Sequence, residues 1–296
     1  MGLFERVLVP LDGSALAERA LAQVRRILRR ADAEAVLFRA VELPAIGGDL
    51  YPLLEPLQEE ARRYLARLEQ DLSEQGARVR SVVRVGPAAE TILGAADEEK
   101  ATLLVMATHG RSGIARWVLG SVTEKVLRAS PVPVWVSRSF DGRGLPAEGD
   151  KGVKTILVPL EGDISLRVLP AVVEVARLYD GPKVVLLNVL PEGGAYGVPV
   201  PFLTQAYQKL REQGISAEPM LRTGDPASQI LEACESQKAD LIALCTHGRS
   251  GPSRWALGSV TEKVLRGATV PLLVVSTRSV RLPEGSGSTS PAERKA

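Results

Sequence analysis

A chain of 296 residues, 45% of them hydrophobic, is long enough for two domains of ordinary size, each with its own core. The formal net charge is +2 with acids and bases interspersed, so electrostatics demands neither nucleic acid nor a membrane surface as partner. The only cysteines, Cys234 and Cys245, cannot make a disulfide framework or a four-cysteine zinc site, which fits a reducing interior.

The chain opens on a strand-like run without a basic region and long apolar segment before it, so no signal peptide or membrane span is expected. Arg6 to Leu11 is rich in β-branched residues, and Ala15 to Arg30 then sets Leu16, Ala20, Leu21, Val24 and Leu28 on one helical face. A strand follows near Ala35 to Val41, then a long helical pattern from about Leu54 to Gln75 and a strand near Arg78 to Val85. A helix around Ala88 to Glu99, the apolar strand Thr102 to Ala107, a helix starting near Ser121 and the strand Val132 to Val136 complete the first half. Residues 139–152 are rich in Gly, charge and turn formers, and read as a linker.

Strands recur near Thr155 to Pro159, Lys183 to Val189, Ala217 to Leu221, Leu241 to Cys245 and Leu272 to Ser276. The stretch 283–296, with Gly-Ser-Gly-Ser-Thr-Ser-Pro, cannot bury enough apolar surface to offset its ordering entropy and is expected to be disordered. Strands alternating with helices imply a parallel sheet, and nearly unbroken apolar strands imply helices on both of its faces. The expected fold class is therefore α/β, with two tandem doubly wound domains at 1–138 and 153–278, each a five-stranded parallel sheet flanked by helices.

The halves are copies of one unit. Thr108-His-Gly-Arg-Ser-Gly113 returns unchanged as Thr246 to Gly251, and Leu-Gly-Ser-Val-Thr-Glu-Lys-Val-Leu-Arg follows both. His109 and His247 stand 138 positions apart, as do Gly86 and Gly224, while Val9-Pro-Leu11 and Val158-Pro-Leu160 stand 149 apart. A tandem duplication with a length change between the Ala40/Val189 and Gly86/Gly224 pairs accounts for both offsets.

Doubly wound sheets bind ligands at the carboxyl ends of strands where the winding reverses. That directs attention to Pro10-Leu-Asp12 after the first strand, and to Ala107-Thr-His-Gly110 through Gly120-Ser121-Val-Thr123 after the fourth. The first backbone N–H groups of the helix entered at Ser121 have no internal partners and suit an anion such as phosphate, which Gly110 and Gly120 would let approach. A second explanation stands beside it: Ser121 with Glu124, and Ser259 with Glu262, have the spacing of a capping box.

Gly110, nine residues, then Gly120-Ser121, and likewise Gly248, nine residues, then Gly258-Ser259, resemble the later part of the signature of the nucleotide-binding universal stress proteins. The resemblance covers both halves nearly completely. The signature's first glycine is replaced by Ala107 and Cys245, and the first-strand aspartate is Asp12 in one half but Glu161 in the other, so the first half is expected to be the more competent.

What the resemblance implies is a Rossmann-like fold of the adenine nucleotide alpha hydrolase-like kind, ATP with Mg as ligand, and a cytoplasmic, non-enzymatic role in stress response and signalling. Pro10, Leu11, Asp12 and Ala40 would border base and ribose, and Gly110, Gly120, Ser121, Val122 and Thr123 would hold phosphates, with Ala107 and His109 alongside. The second-half counterparts are Pro159, Leu160, Glu161 and Val189, then Cys245, His247, Gly248, Gly258, Ser259, Val260 and Thr261. The last strands of the halves are expected to pair as an intrachain pseudo-dimer, with a homodimer and an unidentified protein partner as further expectations.

One histidine per half, with no neighbouring nucleophile or carboxylate pair, favours packing or ligand contact over catalysis or metal binding for His109 and His247. Arg111, Arg116, Arg249 and Arg254 are read as solvated, Trp117 and Trp255 as loop anchors, and Cys245 as a small buried hydrophobe. A slow ATP hydrolase or nucleotidyl transferase is a competing class, but there is no Gly-x4-Gly-Lys-Ser/Thr phosphate loop. A nucleotide-free interaction scaffold of the same fold is the third, favoured by Ala107, Cys245 and Glu161.

Overall fold

The computed structural model describes residues 2–43, 51–107, 119–137, 152–193, 200–246, 257–277 and 279. The first half runs Arg6–Pro10 (β1), Ala20–Arg30 (α1), Glu34–Val41 (β2), Tyr51–Glu74 (α2), Arg78–Val85 (β3), Ala88–Glu98 (α3), Leu103–Ala107 (β4), Ser121–Ala129 (α4) and Val134–Ser137 (β5). The second repeats it with Thr155–Pro159 (β6), Leu169–Leu178 (α5), Lys183–Leu190 (β7), Pro201–Glu212 (α6), Ala217–Thr223 (β8), Pro226–Ser236 (α7), Leu241–Thr246 (β9), Ser259–Gly267 (α8) and Leu272–Ser276 (β10).

Each half forms the expected five-stranded parallel sheet, in the order β3-β2-β1-β4-β5 and β8-β7-β6-β9-β10. The winding reverses beside β1 and β6, which each lie between the next strand in sequence and one reached by a long crossover. At the seam β5 and β10 pair antiparallel, with Leu273 opposite Trp135, and join the two sheets into one of ten strands.

Side chains alternate across the strands, so each strand feeds both faces. Val7, Val9, Leu37, Leu103 and Trp135 join Val24, Ile27 and Leu65 of α1 and α2. Leu8, Val36, Phe38 and Leu104 join Ile92, Val126 and Leu127 of α3 and α4. Both layers continue through the second half, so the seam is part of the core. The outer strands are guarded: β3 carries Arg78, Arg80 and Arg84, and Pro219 removes a donor from β8.

Element ends differ from the sequence expectation where side chains act locally. The helix expected from Ala15 begins as a 3-10 turn at Ala17–Arg19, with the Ala17 N–H donating to Ser14 Oγ at 3.1 Å. The last strand of the first half starts at Val134, not Val132, because Val132 N–H donates to Ser130 Oγ and its carbonyl accepts from that hydroxyl at 2.6 Å.

The capping boxes are not formed. Ser121 and Ser259 are the first helical residues, Gly120 and Gly258 are the N-caps, and neither N-cap has a side-chain hydrogen bond. Glu124 instead pairs with Arg128, and Glu262 with Arg266 at 2.8 Å, one turn along each helix. Apart from Gly152, the expected linker lies outside the described residues, as does the tail at 283–296.

Candidate functional sites at the two switch points

In each half the chain leaves its first strand at Pro10 or Pro159, beside the N-terminus of α4 or α8. In the first half Asp12 Oδ1 accepts from the Ser14 N–H at 2.9 Å, a local turn that holds the carboxylate in place. The second half makes the same turn differently: the Glu161 N–H donates to Ser165 Oγ at 3.1 Å, and Glu161 is exposed. Behind this turn Asn188 Nδ2 donates to the Leu160 carbonyl at 2.8 Å, while its counterpart Arg39 lies over the Tyr64 ring at 5.1 Å.

On the other wall, α4 starts with exposed Ser121, half-buried Val122 and buried Thr123, and α8 with the same pattern at Ser259, Val260 and Thr261. Thr123 Oγ1 donates to the Ala107 carbonyl at 3.2 Å, tying the helix to the end of β4. Gly258 has φ −57 and ψ 144, backbone that any residue adopts, and among the described residues a Cβ there would meet only Thr261 Oγ1 at 4.0 Å. The packing of the described residues therefore does not demand glycine at this N-cap.

These walls enclose a cleft of about 270 Å³ in the first half and about 400 Å³ in the second. The first is lined by Pro10, Leu11, Asp12, Ala40, Ala107, Gly120, Ser121, Val122 and Thr123, all singled out from sequence. Pro159, Leu160, Glu161, Val189, Cys245, Gly258, Ser259, Val260 and Thr261 line the second in the same way. His109, Gly110, His247 and Gly248 lie outside the described residues, as do Arg111, Arg116, Trp117, Arg249, Arg254 and Trp255.

Sequence reading missed the floor and the third wall. Phe38 and Met106 form the floor of the first cleft, Leu187 and Leu244 that of the second; Phe38 and Leu187 lie two residues before Ala40 and Val189, on the same strand face. Ala88 and Ile92, one helical turn apart on α3, and Pro226 and Ile230 on α7 close the side. Their i, i+4 spacing was a readable signal, but only the packing of α3 against α4 shows that this face meets the cleft. Ala17 in the first cleft, and Ser165 and Val264 in the second, are the remaining described residues of the lining.

Among the described residues, the chemistry offered is oriented N–H groups, small hydroxyls, one carboxylate per cleft and an apolar floor. Burial pushes the Cys245 thiol up to about 11, so it remains protonated at neutral pH. Among the described residues no group of three or more His, Cys, Asp or Glu is placed to hold a metal, and no helix is long and apolar enough to cross a membrane.

Fold and site together define a duplicated Rossmann-like protein with a ligand-sized cleft at each switch point. The profile of the Universal stress protein family matches residues 3–138 and again 152–276, and the chain belongs to that family as a tandem member. It is 23% identical over 298 residues to a universal stress protein of Mycolicibacterium smegmatis, spanning 92% of this chain and 97% of that one. A Methanocaldococcus jannaschii universal stress protein is 31% identical over 139 residues, 45% of this chain and 82% of the relative. The crystal structure of a universal stress protein from Archaeoglobus fulgidus has the same fold, with TM-score 0.74 and 21% identity over 93% of this chain and 98% of that one.

Proposed function

We propose that the chain is a non-enzymatic adenine-nucleotide-binding protein of stress response and signalling, taking Mg-ATP in its clefts and acting through a protein partner in the cytoplasm. Residues 1–138 and 153–278 are the two binding modules, joined by 139–152. The observation that carries this reading is the pair of glycine N-caps: in both halves a helix N-terminus without a side-chain cap borders the cleft that also receives the end of the first strand. The N–H groups at Ser121 to Thr123 and Ser259 to Thr261 would meet phosphate oxygens, and the apolar floor would take the base. Asp12 would accept from ribose hydroxyls.

The first half is the tighter site in this reading. Its carboxylate is held by the Ser14 N–H, and Ala107 leaves a methyl where Cys245 presents a thiol. A nucleotide-free second half is the competing reading, favoured by exposed Glu161 and by Cys245. Catalysis is not proposed, because the described cleft residues pair no nucleophile with a base and bring no two carboxylates together. Calorimetric titration of nucleotide-stripped protein with Mg-ATP tests the proposal. One or two sites per chain supports it, and absence of binding leaves a scaffold without nucleotide.

A further inference from the structure

The seam between the halves is made of unlike partners at positions where the repeat could have supplied like ones. β5 and β10 are equivalent strands, and their register pairs Leu272 with Val136, Leu273 with Trp135 and Val274 with Val134. A pseudo-twofold axis therefore passes through the Trp135–Leu273 pair. Directly opposed residues share a face, with Cβ atoms about 4.5–5.5 Å apart. These two are enclosed, 1% and 0% exposed, and Trp135 stacks on Tyr179 of the other half at 6.5 Å.

A second equivalent pair behaves the same way. Arg30 and Tyr179 hold the same place in the repeat, and each reaches across the axis to something its counterpart does not. Arg30 donates to the Leu178 carbonyl at 2.9 Å and to Asp180 at 2.5 Å, whereas the Tyr179 hydroxyl donates to Gln23 Oε1 at 2.6 Å. Arg26 lies 5.0 Å over the Tyr179 ring.

The same seam built from two first halves would set Trp135 against Trp135 and bring Arg30 to Arg29 and Ala31 in place of Leu178 and Asp180. Built from two second halves, it would set Leu273 against Leu273 with the indole's volume unfilled, and the Tyr179 hydroxyl would meet Val172 in place of Gln23. We infer that the seam is a heterotypic lock: the β5–α1 face of the first half fits the β10–α5 face of the second and rejects another copy of itself. The chain closes through unlike halves, and neither seam strand serves as a like-to-like docking edge for a second copy.

The test exchanges the pair in the full chain. Trp135→Leu and Leu273→Trp are each expected to lower the melting midpoint by at least about 4 °C. The double exchange, which restores one indole and one isobutyl group across the axis, recovers more than half of the summed loss and sediments as the wild type does. A Trp135 that merely packs under α1 would gain nothing from Leu273→Trp, so losses that add would overturn the inference. If a single exchange fails to fold, Gln23→Val with Tyr179→Phe makes the same comparison. The first orphans the buried hydroxyl and the second removes it, so the double variant should melt above Gln23→Val alone; a lower midpoint would count against the lock.

Discussion

Leucine at Gly258 separates what the fold needs from what the ligand needs. The backbone at φ −57 and ψ 144 accepts a side chain, and among the described residues a new Cβ would come near only Thr261 Oγ1, at 4.0 Å. The folding cost is then the poorer N-cap preference of an apolar residue, about 1 kcal/mol, or roughly 2–4 °C in the melting midpoint. Binding suffers more, because the leucine side chain stands where an anion would approach the first N–H groups of α8. Each charge-assisted hydrogen bond is worth about 1.5–3 kcal/mol, so losing one or two raises Kd by roughly 10-fold to more than 100-fold. Gly120 has the same backbone, φ −58 and ψ 140, and leucine there should weaken the first site in the same way. Calorimetric titration of the two single variants and the double variant with Mg-ATP, beside thermal unfolding, reads both quantities. A stable Gly258→Leu protein that keeps every site of the wild type at unchanged affinity would refute the helix-terminus reading.

Glu161→Asp shortens the exposed carboxylate to the length found in the first half and should strengthen the second site, which calorimetry would show as a lower Kd there; no gain counts against the role given to Asp12. Gly86 has φ +140, and a Cβ would come within 2.9 Å of Thr91 Cγ2, so Gly86→Ala should cost about 1–3 kcal/mol and lower the melting midpoint; an unchanged melt contradicts this. Glu34 lies 2.9 Å from Arg6 and 2.7 Å from Arg80. Burial pushes its carboxyl up, but hydrogen bonds from Arg80 and Arg6 outweigh that and hold it below its usual 4.5. A depressed folded value means the stabilisation is present above 4.5 and is lost as pH falls through the folded value. With partly exposed partners, Glu34→Gln should cost no more than about 1 kcal/mol at pH 7. The gap in urea midpoint should close in acid, and a gap independent of pH would show that the carboxylate's charge is not the source.

Strand and helix assignments were legible because they rest on short-range pattern. Val7, Val9 and Leu8 alternate between two apolar layers, and the burial of both faces of β4 follows directly from an unbroken Leu103–Ala107 run. The cleft's rim was legible too, since Pro10 to Asp12 and Gly120 to Thr123 are loop and helix-start positions of a doubly wound unit. The serines misled. Ser121 and Glu124 have capping-box spacing, yet the helix takes one residue more and makes glycine the N-cap, while Glu124 turns to Arg128. Spacing alone does not say where a helix starts. The boundary at Val132 moved for a similar reason, as Ser130 gathers the backbone of the turn.

By itself the sequence determined the duplication, the order of elements, the parallel sheets and the residue types at each strand end, because periodicity and repeat offset are properties of the chain read locally. Tertiary structure decided which faces meet. Phe38 became the cleft's floor and Ile92 its wall only when β2 and α3 were brought beside α4, and Trp135 became the partner of Leu273 only when two sheets met edge to edge. Such contacts join residues distant in the chain, and their energy lies in shape and hydrogen-bond complementarity between surfaces. The two sheets merge at β5 and β10 because unlike side chains fill that space together, a fit that no local pattern encodes.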